Sequence, residues 1–116
     1  MNWHEVINER SYEMHQVIAD ILRQSPGVLA RVSRWIEDKL GDERYSEDGK
    51  EALREWQEVI HNEGVSGVLG VLDDRGDEAT RMRQSTPFAV VMPSDQREAI
   101  YQKYESVRTR ASFAGV

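Results

Sequence analysis

Residues 3–23 read WHEVINERSYEMHQVIADILR, and within them Met14, Val17, Ile18, Ile21 and Leu22 recur at i, i+3, i+4, i+7 and i+8. This spacing stacks the apolar side chains along one face of a helix of 3.6 residues per turn, so the segment predicts an amphipathic α-helix with a face to bury. Trp3, Ile7 and Arg10 extend the stripe backward, which sets a first helix from about Trp3 to Arg23. Ser25 and Pro26 then mark a restart. A serine hydroxyl can accept from an orphan N–H, and proline at the first helical position lacks only a donor that had no partner.

The second helix reaches about Leu40 and stops at Gly41, with Val28 or Leu29, Val32, Trp35, Ile36 and Leu40 as its buried stripe. Trp35 is expected to contribute strongly, because an indole removes a large area from water. GDERYSEDG, residues 41–49, is polar except for Tyr45 and reads as a loop. Leu53, Trp56, Val59 and Ile60 form a third stripe over about Lys50 to Asn62, ended by Gly64. Beyond it, Ser66 can cap a short apolar helix whose glycines, Gly67 and Gly70, each cost about 1 kcal/mol relative to Ala. Gly64, Gly67 and Gly70 are read as sites of close packing, because a phosphate loop needs a preceding strand and these flanks are helical and acidic. Asp77 can cap a further short helix, Glu78 to Gln84, which Ser85, Thr86 and Pro87 break. Phe88 to Met92 has strand character but no partner strand. Ile100, Tyr104 and Val107 share one face of a final helix from about Asp95 to Arg108, and residues 109–116 are expected to be a flexible tail. The expected fold is all-α: one compact domain over residues 1–108, a bundle of four main helices with one or two short ones.

The chain has 116 residues, with 15 Lys+Arg against 21 Asp+Glu and a formal charge of −6. A chain of this length can bury about two thirds of its surface, enough for one core without staples. It has no cysteine, which removes disulfides, thiolate nucleophiles and Cys-based metal sites. No secretion-signal pattern or apolar run of bilayer length is present, so a cytoplasmic, non-membrane protein is expected.

The charge is divided unevenly: residues 1–74 hold 8 basic and 16 acidic groups, residues 75–116 hold 7 and 5. Glu51, Glu55 and Glu58 fall on one face of the third helix, and Asp42, Glu43, Glu47 and Asp48 precede it. Such a face is either a solvated exterior or a docking surface for a basic partner, whose encounter it would speed. The expected partner-binding residues are Glu47, Asp48, Glu51, Glu55 and Glu58. Arg81, Arg83 and Arg97 make a second candidate surface, although Arg81 and Arg83, two apart, diverge on a helix and form no ready phosphate clamp.

Catalytic patterns are missing. Glu58 and His61 give a single Glu-x-x-His, whereas a helical di-iron site needs two. His4, His15 and His61 are read as surface or helix-end histidines, and no serine has a nucleophile-elbow context. No catalytic residue, metal or cofactor is therefore expected.

The Arg-rich stretch RMRQSTPF, residues 81–88, with Arg97 and Ile100-Tyr101 after it, resembles small bacterial helical proteins, some of them associated with toxin–antitoxin or accessory loci. The resemblance spans about Glu9 to Tyr101 and transfers no catalytic residue. The acidic first half and the missing catalytic patterns lead to the expectation of a non-enzymatic protein-binding module, antitoxin-like or inhibitor-like, that masks a basic site on another protein, and the resemblance points the same way. The alternative is a DNA-binding transcriptional regulator using the final helix through Gln96, Arg97, Gln102, Lys103 and Arg110; the net negative charge opposes phosphate contact. Three tryptophans and several apolar stripes also allow a homo-oligomer, since a stripe looks the same whether it faces a core or a copy.

Overall fold

The first helix starts where Asn2 can close a capping box: its side chain accepts from Glu5 N–H at 2.9 Å while the Glu5 carboxylate accepts from Asn2 N–H at 3.3 Å. A computed structural model describes residues 2–114, with side chains described through residue 107. Five α-helices follow in order, α1 (Trp3–Gln24), α2 (Val28–Leu40), α3 (Glu47–Asp73), α4 (Asp77–Arg83) and α5 (Ser94–Ala114), with a 3-10 helix, Phe88–Val91, before α5. No strand occurs among the described residues, and none of their helices is long and apolar enough to cross a membrane.

The core stripe of α1 is Met14, His15, Ile18, Ala19 and Leu22, with Val6 buried nearer the start. Val17 and Ile21 lie on its flank, half-buried. At the next junction Ser25 works through its backbone: its carbonyl accepts from Val28 N–H at 3.0 Å, and α2 begins with Gly27 as an uncapped N-cap. The expected Ser25 side-chain cap is therefore absent. In α2 the buried residues are Leu29, Val32 and Ile36, while Trp35 is only half-buried with the Lys39 ammonium over its ring at 5.6 Å. The central indole is instead Trp56, which donates Nε1–H to the Met82 carbonyl at 3.0 Å and meets Phe88 edge-on at 5.2 Å.

The expected 41–49 loop is shorter than its polarity implies. Ser46 accepts from Gly49 N–H at 3.1 Å and starts α3 at Glu47, so Glu47 and Asp48 sit in a first helical turn, where carboxylates favour the exposed amide ends. Within α3 the backbone breaks at Gly64, at φ 63° and ψ −153°, a region essentially restricted to glycine. The break kinks α3 into two helical segments at the position where the sequence places a helix end, and Ser66 lies near the start of the second. Gly67 belongs to the same device: a Cβ there would lie 2.2 Å from Glu63 Cβ. At Gly64 and Gly70 a Cβ would meet nothing within 4 Å, so the expected close packing of neighbouring backbones is not found.

The C-terminal carbonyls of α3, orphans in any helix, are satisfied mainly by other elements. Gln16 Nε2 donates to Leu72 O at 3.1 Å, Tyr12 Oη to Asp73 O at 2.9 Å, and Arg83 Nη1 to Val71 O at 2.8 Å and Asp74 O at 2.5 Å. Two residues of α1 and one of α4 thus cap α3, and the guanidinium lies where the helix dipole is negative. Phe88 plugs the core as a 3-10 residue, so Phe88 to Met92 is not a strand. The final helix extends beyond its expected end at Arg108 to Ala114, and residues 115–116 of the expected tail lie outside the described residues.

Candidate functional site

Of the five acidic residues singled out in the sequence, three line one groove. Glu51, Glu55 and Glu58, with Arg54 and His61 on the same face of α3 and Leu40 from α2, border a depression of about 590 Å³. The α3 stripe arises because Leu53, Trp56 and Ile60 take the opposite face into the core. Glu47 and Asp48 do not line this groove; they stay exposed in the first turn of α3, Glu47 with Arg54 at 3.9 Å.

The groove is less negative than its sequence implies. Arg81 reaches across from α4 and grips Glu55 with both terminal guanidinium nitrogens, at 2.7 and 3.3 Å, while its Nε holds Glu78 at 3.2 Å. Its bonds to Glu78 and Glu55 hold the guanidinium above its usual range, and the Glu78 carboxyl is held below its own by Arg81. Glu51 and Glu58 are exposed and take part in no ion pair among the described residues.

The second candidate surface comes apart. Arg83 is 4% exposed and serves as a cap for α3, Arg81 is committed to Glu55 and Glu78, and of the three only Arg97 is exposed with no side-chain ion pair among the described residues. On α5, Lys103 donates to both carboxylate oxygens of Glu13 at 3.0 Å, so it is engaged within the chain. Burial pushes the Glu13 carboxyl up, but bonds from Tyr104 and Lys103 outweigh it and leave the group below its usual range. The Arg110 side chain lies outside the described residues.

His15 corrects a further reading. It is a core residue, 1% exposed, not a surface or helix-end histidine. Nδ1 donates to Ser11 O at 2.6 Å, which places the neutral ring's lone pair on Nε2, and Nε2 has no partner among the described residues. Burial, reinforced by the Arg83 charge, pulls its pKa down to about 4. No group of His, Asp and Glu capable of holding a metal occurs among the described residues.

A second depression, about 360 Å³, lies between α1 and α4 and is lined by Glu5, Asn8, Glu9, Tyr12, Arg75, Asp77, Thr80 and Arg83. Arg75 bridges it, stacked on the Tyr12 ring at 3.8 Å and paired with Glu9 at 2.7 Å. Sequence reading missed this cleft because Arg75 and Glu9 are 66 residues apart. His61 was recoverable, since its position continues the spacing of Glu51, Glu55 and Glu58 along α3; Leu40 was not, because only tertiary packing brings it there. No family model matches the chain, and no curated protein or solved structure does either.

Proposed function

We propose that the chain is a non-catalytic protein-binding module, antitoxin-like or inhibitor-like, that receives a basic segment of another protein in the groove along α3. The observation that carries this reading is the convergence of Glu51 and Glu58, both exposed and without an ion pair among the described residues, on one concave surface beside Leu40. Rigid presentation favours this role: Trp56 and Leu53 anchor the same helix in the core, so the carboxylates need little ordering on contact. The carboxylates steer encounter and select lysine- or arginine-rich partners, while Leu40 and the aliphatic stems supply the desolvated contact that charge alone does not. Glu55 takes a secondary part, because a partner's cation must compete with Arg81. A DNA-reading role for α5 has less support, since Lys103 is spent on Glu13.

The test is co-purification from the native cell with the parent protein and with a Glu51→Lys, Glu58→Lys double variant that leaves the Glu55–Arg81 pair intact. Capture of a basic protein by the parent, weakening with added salt and lost in the variant at unchanged helicity, is the expected result. Equal capture by both proteins refutes the groove as the binding surface.

A further inference from the structure

Glu51 and Glu58 stand seven residues apart on α3, about 10.5 Å along an axis that rises 1.5 Å per residue, and they share one face because seven residues nearly complete two turns. Both are exposed, and neither forms an ion pair among the described residues. Between them the groove is already balanced. Glu55 is held by Arg81 at 2.7 and 3.3 Å, and Arg54, exposed on the same face, is itself a cation. The groove therefore offers two separate negative points with a middle that is not acidic, and half-buried Leu40 adds an apolar wall.

The floor of this groove is the mid-section of α3, whose backbone groups are bonded within the helix, so it presents side chains and no backbone edge. An extended segment laid there would give up backbone hydrogen bonds to water without return. A helix brings its own backbone already satisfied, as in helix-in-groove recognition. Spacing decides the same way. Same-face residues of a strand fall about 6.7 or 13.4 Å apart, and either misses the carboxylate separation by about 3–4 Å. In a helix, positions i and i+7 reproduce it in either direction. The chain also shows the contact in miniature: Arg81, carried on helix α4, takes Glu55 with both terminal nitrogens.

We infer that the segment received by the α3 groove is an amphipathic α-helix with Arg or Lys at positions i and i+7, one for Glu51 and one for Glu58. Its intervening residues on that face are uncharged or aliphatic, because a third cation would meet Arg54 with like charge and find Glu55 already paired. The inference rests on the protein-binding reading of this groove and specifies the occupant: a helix with two cations two turns apart, in place of a polybasic tail.

Synthetic alanine-based peptides of equal length, titrated into the ¹⁵N-labelled full chain and followed by NMR, test it. The first carries Arg at i and i+7, Leu at i+3 and Gln at i+4. The others move the second Arg to i+5, replace the Gln with a third Arg, or replace it with Pro to break the helix. The i, i+7 peptide should bind about fivefold tighter than the i, i+5 peptide, the worth of one ion pair. The third Arg should bring no gain, and the Pro peptide should bind more weakly than the first. Glu58→Gln, at an exposed position, should erase the difference between the i+7 and i+5 peptides at an unchanged Tm. Equal affinity of the first peptide and its i+5 or Pro counterpart, or tighter binding of the three-Arg peptide, overturns the helical occupant and leaves the basic-segment reading standing. Failure of every peptide to shift the α3 amides overturns both.

Discussion

Acid should destabilise this fold earlier than its carboxylates require, because of His15. The imidazole is 1% exposed, has an orphan Nε2 and shares its surroundings with the Arg83 charge, so the folded state favours the neutral ring. Its pKa falls from 6.5 to about 4, and between those values the unfolded chain binds the extra proton. Stability is therefore full above pH 6.5 and declines as pH falls toward about 4. At about 1.4 kcal/mol for each pH unit across that interval, the loss is about 3 kcal/mol, a large part of a small domain's stability. Urea unfolding followed by tryptophan fluorescence, repeated at intervals from neutral pH downward, measures it. His15→Leu supplies the internal control. It forfeits the bond to Ser11 O but removes the unpaired acceptor, so at neutral pH the two proteins should agree within about 1 kcal/mol. Near pH 4.5 the variant should be the more stable by about 2 kcal/mol, since the parent alone carries the proton-linked loss. Parallel stability curves for the two proteins would refute the assignment of the slope to His15.

The three glycines of α3 should respond differently to alanine. Gly64→Ala forces a side chain into glycine-only backbone and should cost roughly 1–3 kcal/mol, and Gly67→Ala should also destabilise because its Cβ would lie 2.2 Å from Glu63 Cβ. Gly70→Ala meets nothing within 4 Å and should raise stability by about 1 kcal/mol, read as an increase in Tm. Arg83→Met strands the Val71 and Asp74 carbonyls and should cost about 2–4 kcal/mol in chemical denaturation, with amide exchange accelerating first at the end of α3. Trp56→Phe loses the bond to the Met82 carbonyl and leaves a void beside Phe88, a cost of about 1–3 kcal/mol, whereas Trp35→Phe, at a half-buried site, should cost less.

Helical periodicity is a local property, and it makes much of the architecture readable. Met14, Ile18 and Leu22, then Leu29, Val32 and Ile36, then Leu53, Trp56 and Ile60 recur with the repeat of a helix, and each set is buried. Gly64 is legible as an interruption for the same reason, since residues before and after it obey separate stripes. The spacing of Glu51, Glu55 and Glu58 likewise places them on one face before any packing is known.

What the helix period leaves undetermined is which of two apolar or charged neighbours faces inward, and with whom each pairs. Trp35 and Trp56 carry the same side chain, yet only Trp56 meets Phe88 and the Met82 carbonyl across tertiary contacts. Arg81 and Arg83 look alike in sequence, but one neutralises Glu55 from 26 residues away and the other is buried against the end of α3. The chain on its own determined its all-helical character and the placement of its carboxylates, because both follow from residue type and spacing along one helix. Only the tertiary structure decided that His15 is enclosed, that Arg83 caps α3, and that Glu51 and Glu58 form no ion pair among the described residues, because burial and ion pairing depend on residues far apart in sequence.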